Sequence, residues 1–288
     1  MTKALLSIRD TAADFYAPPL PDRRVRRIRD DAEALAAAEE LAPTLAEGAA
    51  VRDRDRVLPY EEIDQLSRAG LLAITVPRLF GGAEVQPHTV ARVVATLSAA
   101  DASIGQIPQN HFLMLEALRL QGTVEQKRFF YARVLAGERN GNALAETGTK
   151  TAYDHGTRLE GDGAVYRLNG RKFYSTGVLF AHWVAVVAND DENQSAIVFV
   201  PRDAKGITIF DDWTGFGQRT TGSGQRCWTT SRFIPFRFYR SKRCLIGLRY
   251  LAHLRRSYMQ LSTRASPREL SLTRCASCTR RARGNTQE

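Results

Sequence analysis

Cys275-Ala-Ser-Cys278 has the spacing of half a tetrahedral zinc site, in which two thiolates from one turn share the ion. No second pair follows at suitable spacing, and Cys244 and His253 are poorly placed to complete the set, so no metal is expected. Tyr239, Tyr250 and Tyr258 stand among arginines, a mixture that can stack on bases while guanidinium groups meet phosphate. A basic arm can also lie on an anionic membrane. Of these readings a solvated tail is the plainest, and nucleic-acid binding is the weaker one. Elsewhere His111 sits beside Phe112 and Leu113 at the start of a helical stretch, and Tyr174-Ser-Thr176 ends a strand-like run. Taken alone, each has an ordinary use. His111 would be a capped or surface histidine, Asn142 a turn residue satisfying backbone groups, and Tyr174 and Trp213 core or surface aromatics.

Whatever these groups do, the elements around them must position them. The chain has 288 residues, 43% hydrophobic and 25% charged, which suffices for a sizeable core in one large domain or two ordinary ones. No apolar run is long enough to cross a bilayer, and residues 1–22 lack the basic-then-apolar order of a secretory signal. A cytoplasmic location and no membrane partner are therefore expected. The formal charge of +10 is unevenly spread. Residues 225–288 hold 15 Lys and Arg against two acids, together with all four cysteines, whereas residues 1–224 hold 26 basic against 29 acidic. The sequence changes character near Gly224.

Helical signals come first. Ala, Glu and Leu dominate residues 31–42, with a break expected at Pro43. Pro59 suits the start of the next helix and Gly70 its end. Val90, Val93, Val94 and Leu97 repeat at helical spacing, as do Leu113, Met114, Ala117 and Leu118 before Gly122. Thr123 with Gln126 resembles a capping box, opening a helix that reaches Gly137. After that the period changes to short β-branched and aromatic runs at 165–168, 183–188, 196–200 and 207–210. Asn169-Gly170 predicts a hairpin between 165–168 and 172–175. The fold class expected is α+β: an N-terminal all-α domain, 26–137, followed by a small antiparallel β-barrel or sandwich, 138–224. Residues 1–25 form an extension, and 225–288 a basic, aberrant tail.

Three segments carry a family resemblance. Gly70-Leu-Leu-Ala-Ile-Thr-Val-Pro77 with Phe80-Gly81-Gly82, Ala143-Leu-Ala-Glu146-Thr-Gly148, and Tyr166-Arg-Leu-Asn169-Gly170-Arg-Lys172-Phe-Tyr174-Ser-Thr176 resemble the acyl-CoA dehydrogenase superfamily, in its order and spacing. Two more, Ser103-Ile-Gly-Gln-Ile-Pro-Gln-Asn-His111 and Trp213-Thr-Gly-Phe-Gly-Gln-Arg-Thr-Thr-Gly-Ser-Gly224, are similar to its sulfur-acquisition oxidoreductase branch, relatives of dibenzothiophene monooxygenase. Ala145 and Thr147 depart from the dehydrogenase pattern at the flavin loop, where Thr and Pro are usual. The resemblance implies a flavin, FAD or FMN, bound by Tyr174, Thr176 and the backbone at Leu144 and Ala145. A flavin ring wants an aromatic platform and hydrogen bonds along its polar edge. It further implies catalytic roles for His111, Asn142 and Ser175, and a substrate pocket including Asn110 and Trp213. The substrate would be a small organosulfur compound with a flavin reductase as partner. The alternative is an acyl substrate with FAD and an electron-transfer flavoprotein, and a third reading is a non-catalytic remnant with a nucleic-acid-binding tail.

After Gly224 the family pattern calls for an apolar strand ending in paired aspartates, then a C-terminal helical bundle that completes a homotetramer and the catalytic set. The chain continues Gln225-Arg-Cys-Trp-Thr-Thr-Ser231 instead, so that bundle is expected to be absent, and with it a complete catalytic set. Reading the third base of each codon with the first two of the next is informative here. From Arg226 to Thr230 it forces Leu, Val or Met, then Leu, Asp, and one of Asp, Asn, His or Tyr. That is the family pattern, and it suggests that the tail is translated out of frame.

Overall fold

Strong helix formers and well-placed caps build the first half of the chain. The computed structural model describes residues 24–148, 155–161, 166–233 and 236–239. Among these, seven α-helices precede the first strand: α1 Asp31–Ala46, α2 Ala49–Asp55, α3 Tyr60–Arg68, α4 Pro87–Ala100, α5 Ala102–Gln106, α6 Pro108–Gln121 and α7 Val124–Leu135. The capping box is present at α7, where Thr123 Oγ1 accepts from Gln126 N–H at 3.2 Å and Thr123 N–H donates to Gln126 Oε1 at 2.9 Å. The break expected at Pro43 does not occur, because α1 runs through it. Pro43 forfeits only its own N–H bond, and the wholly buried Leu45 anchors the turn beyond. Gly70 ends the α3 segment at φ +76, where a Cβ would meet the Arg26 carbonyl oxygen at 2.2 Å.

One buried cation ties four helices together. Arg52 on α2 reaches Glu62 on α3 at 2.8 Å and Asp101 at 3.0 Å, and also donates to the Leu45 carbonyl. Asp101 in turn caps α5, accepting from the amides of Ser103 and Ile104.

The second half is one sheet, with strands β1 Asn140–Ala143, β2 Arg158–Gly161, β3 Tyr166–Lys172, β4 Trp183–Asn189, β5 Ser195–Pro201, β6 Ile207–Ile209, β7 Arg226–Phe233 and β8 Phe236–Tyr239. Their order is β6-β7-β3-β2-β4-β5-β8, with β1 paired to β4. The sheet is mixed, not wholly antiparallel as expected. β1 arrives from the helical part and lies parallel along Trp183–Val186, and β2 meets β4 in parallel at Arg158↔Asn189. No α-helix follows α7 among the described residues, and none there is long and apolar enough to cross a membrane.

Two further expectations are corrected. Asn169-Gly170 makes no hairpin but lies inside β3, at a bulge in the pairing with β7. A Cβ on Gly170 would meet Thr157 Oγ1 at 2.4 Å, so the glycine serves a close approach of loop and strand and not a reversal. The sheet also does not end at Gly224, since β7 and β8 lie beyond it, paired to β3 and β5. The remaining tail residues, with Cys244, Tyr250, His253, Tyr258, Cys275 and Cys278, lie outside the described residues, as does the N-terminal stretch to residue 23.

Aromatic contacts weld helices to sheet. Phe130 on α7 stacks near Phe199 at 4.6 Å and Trp183 at 5.3 Å, while Arg133 lies over Phe129 and pairs with Glu138 at 2.8 Å. The Arg52 triad gives a direct test of how the helices are held. Arg52→Met would leave Asp101 and Glu62 without their counter-ion, and urea unfolding is expected to report a loss of about 3–5 kcal/mol. A loss below about 1 kcal/mol would show that apolar contacts alone hold these helices.

Candidate functional site

Polar residues that are buried must be paired, and those left unpaired mark where something else belongs. Such groups gather where the helices hand over to the sheet. The first turn of α6, strand β1 and the turn at 173–177 after β3 are joined there, and the 210–224 loop is hydrogen-bonded onto that turn. Asn142 N–H donates to the Thr176 carbonyl at 3.4 Å, Ser175 N–H to Gly224 at 3.3 Å, and Gly177 N–H to Thr221 at 3.4 Å. Gly141 lets this happen, since a Cβ there would lie 2.9 Å from the Val178 amide nitrogen.

His111 is buried, in contrast to the surface or capping position its neighbours suggest. Its Nδ1 accepts from the Asn140 amide at 3.1 Å, and its Nε2 lies 2.7 Å from the Leu72 carbonyl oxygen. A ring nitrogen facing a carbonyl must carry the proton, so these partners assign the neutral Nε2–H tautomer. Burial pushes the imidazole down to about 4, with Arg139 adding to that and the Leu72 bond opposing it. Both nitrogens are thus given to backbone. Arg139 reinforces the same joint, donating to the Phe180 carbonyl and the Ser67 hydroxyl and pairing with Asp64.

Asn110, Asn142 and Ser175 behave differently. Each is buried, and Asn110 Oδ1, Asn142 Oδ1 and Ser175 Oγ have no hydrogen-bond partner among the described residues. Leaving three such atoms dry and unpaired costs about 1–3 kcal/mol apiece. They lie on three segments that touch one another, which is the arrangement of a site that receives a polar ligand edge. Thr176 is paired: its hydroxyl meets Ser223 Oγ at 2.8 Å, which meets Thr221 Oγ1 at 2.7 Å, which donates to the Gln218 carbonyl.

Tyr174 stands out among the aromatics. It is 52% exposed and held at φ +52, a conformation that non-glycine residues adopt rarely and at some cost. Its ring lies 6.0 Å from Trp213, whose indole N–H is anchored on the Gln218 carbonyl at 3.0 Å. Trp213 also lines a groove of about 350 Å³ with Arg56, Asp211, Phe216 and Arg219. Leu144 and Ala145 lie alongside the end of β3, their carbonyls taken by Lys172 Nζ at 3.3 Å and Phe173 N–H at 2.9 Å.

The structure therefore brings Asn142, Tyr174, Ser175, Thr176 and Trp213 together, and attaches His111 to them through Asn140. Asn110 shares the first turn of α6 with His111, and no hydrogen bond of its Oδ1 joins it to the others among the described residues. Sequence reasoning missed Thr221, Ser223 and Gln218. The hydroxyl-rich Thr220-Thr221-Gly222-Ser223 was the available signal, but nothing in it says which hydroxyl faces Thr176.

Comparison with known proteins places this arrangement. Residues 22–138 match the acyl-CoA dehydrogenase N-terminal domain and residues 142–229 the acyl-CoA dehydrogenase middle domain. Dibenzothiophene monooxygenase of Rhodococcus qingshengii is 31% identical over 214 residues, covering 71% of this chain and 51% of that protein. Among solved structures, FMN-bound TdsC from Paenibacillus sp. A11-2 matches with TM-score 0.67 at 26% identity, over 73% of this chain and 54% of that one. Methanesulfinate monooxygenase MsuC from Pseudomonas fluorescens matches with TM-score 0.68 at 28% identity, over 79% and 59%. The chain spans about half the length of the curated relatives it matches.

The buried imidazole predicts an acid limb. His111 titrates near its ordinary 6.5 when unfolded and near 4 in the fold, so between those values only the unfolded chain takes up its proton. Its contribution is complete above pH 6.5 and declines as the pH falls to 4, by about 3 kcal/mol in all. Urea unfolding of His111→Gln across that range is expected to lack this slope. Parallel slopes in the parent and the variant would refute the assignment.

Proposed function

Because the chain belongs to the acyl-CoA dehydrogenase family, we propose that it is a flavin-dependent monooxygenase of that family, acting on a small organosulfur compound with FMN as cofactor. One observation carries the reading: a half-exposed aromatic ring on a strained backbone, Tyr174, beside buried and unpartnered oxygens of Asn142 and Ser175. An isoalloxazine supplies what those groups lack, a flat apolar face for the ring and a polar edge for the oxygens. Relatives that act on dibenzothiophene and methanesulfinate, and one that binds FMN, support the same assignment.

In this reading Tyr174 packs against the flavin ring, and Thr176, backed by Ser223 and Thr221, bonds its polar edge together with backbone at Leu144 and Ala145. Reduced flavin, when bound, supplies the electrons that activate dioxygen. Asn142 and Ser175 hold polar atoms of the reacting groups, and their burial excludes the water that would waste them. Asn110 and Trp213 bound the substrate pocket. His111 acts as a positioning residue, since both its nitrogens are used to set Asn140 and hence the strand that carries Asn142. A separate flavin reductase delivers the electrons. No observation favours the acyl-CoA reading with FAD and an electron-transfer flavoprotein, and the nucleic-acid reading rests on residues outside the described part.

The test is FMN titration of the purified chain, followed by sulfur oxidation with a flavin reductase and oxygen. Tyr174→Ala is expected to weaken FMN binding at least about tenfold, equivalent to ~1.4 kcal/mol. Asn142→Ala removes an acceptor for the flavin's polar edge, so it should weaken FMN binding about three- to tenfold and also lose sulfur oxidation. Bleaching of bound flavin by an acyl-CoA, with no oxygen transfer to sulfur, would replace this reading by the dehydrogenase one.

A further inference from the structure

A buried ion pair lies directly behind the proposed flavin edge. Lys172 ends β3 with no exposed surface, and its Nζ is 2.6 Å from Glu146 Oε1 and 3.3 Å from the Leu144 carbonyl oxygen. Glu146 is satisfied on its far side, accepting from Gly156 N–H at 2.7 Å, Thr157 N–H at 3.0 Å and Thr157 Oγ1 at 2.7 Å. Burial opposes ionisation of both groups. The Lys172 and Thr157 bonds overcome it for Glu146 and hold its carboxyl below the ordinary range. Such a pair seldom adds net stability, because desolvation offsets the attraction, and apolar residues of equal volume often serve as well. What it does supply is direction. A peptide is planar and trans, so the Leu144 C=O and the Ala145 N–H point opposite ways. Engaging the carbonyl with Lys172 fixes the plane of the Leu144–Ala145 peptide, while Ala145 itself bridges Phe173, whose N–H takes the Ala145 carbonyl.

We propose that Lys172 and Glu146 are positioning residues that hold the Leu144–Ala145 backbone in place beside the flavin's polar edge. The proposal rests on the flavin reading above. It is tested with Lys172→Met, Glu146→Gln and the double variant, measuring FMN affinity, thermal unfolding without flavin, and hydrogen exchange at the Phe173 amide. Each single variant should unfold earlier and bind FMN at least about tenfold more weakly. In the double variant, stability should recover while affinity stays lowered and the Phe173 amide exchanges faster, a separation that a purely structural pair would not give. Affinity restored along with stability would overturn the positioning role. Should the parent itself bind no FMN, the flavin reading fails and the positioning role falls with it; where the parent binds FMN, unchanged exchange at Phe173 in the double variant overturns positioning alone.

A second observation stands independently of any ligand. Arg226, on β7, is wholly buried and sits directly opposite Lys172 in the β3–β7 ladder, an unfavourable pairing of like charges. It donates to the backbone carbonyls of Phe210, Gln225 and Gly222, not to a carboxylate, and its Nε has no partner. Two positions on, Trp228 is 2% exposed and its indole N–H also lacks an acceptor. The alternative frame places Leu, Val or Met and then Leu where the chain has Arg226 and Cys227. The apolar residue at Arg226 is what such a buried strand start requires, whereas the frame's Asp falls at Trp228 and gives that position no relief. We infer that codons from about Gln225 are read out of the frame that built this sheet. Sequencing the gene past this point decides it: a shifted frame that stays open with periodic apolar residues upholds the inference, and one that closes within a few codons overturns it. In the protein itself, Arg226→Met with Trp228→Phe should raise the unfolding temperature by about 3 °C or more. A fall would mean that these side chains belong where they are.

Discussion

Strand β1 is wholly buried, yet three of its four residues are Asn140, Gly141 and Asn142. A polar strand in an interior must have its donors and acceptors met by the protein, and that demand organises the whole joint between helices and sheet. One ladder partner is β4. The Asn140 amide goes to His111, whose other nitrogen is fixed on Leu72, so a helix and a 3₁₀ turn are drawn onto the strand by one imidazole. Arg139 and Glu138, just before β1, do the same for α3, α7 and β4 through Asp64, Arg133 and Trp183. Remove these bonds and nothing apolar in β1 itself would hold it except Ala143.

Against that background the buried polar groups divide into two kinds. His111, Arg139, Glu138, Thr176 and Lys172 have partners supplied by the chain, and they serve the architecture. Asn110, Asn142 and Ser175 each keep an oxygen with none. The two kinds alternate along the same short segments: His111 beside Asn110, Ser175 beside Thr176. The scaffold is thus rigid immediately next to the atoms that await a ligand, which is how a site keeps its geometry before anything binds.

The helical half was legible because its signals are local. The Thr123–Gln126 box, Gly70 and the apolar repeats of α4 and α6 each act within a few residues. The misreadings arose where distant packing overrode local preference. Asn169-Gly170 would turn in isolation, but Thr157 presses on Gly170 and β7 pairs across it, so it becomes a bulge. Pro43 would end a helix, yet burial of Leu45 carries α1 past it. β1 carries no strand signal at all, since Asn and Gly are poor strand formers and only its insertion between α6 and β4 makes it one. In the site, Tyr174 and Thr176 could be named from a family pattern, whereas the orientation of His111 depends on Leu72, 39 residues away.

The sheet is not equally continuous along its length. On one side β6, β7, β3 and β2 form a block, and on the other β1, β4, β5 and β8, and the strands of the two blocks are laddered at a single residue pair, Arg158↔Asn189. The 173–177 turn hangs from the first block and Asn142 from the second, with a 3.4 Å bond from Asn142 to Thr176 crossing between them. What the ladder lacks there is supplied beside the site, where Phe173 N–H takes the Ala145 carbonyl and Lys172 pairs with Glu146 across the same seam. The two walls of the polar cleft are thus riveted together by side chains at the point where the strands themselves barely meet.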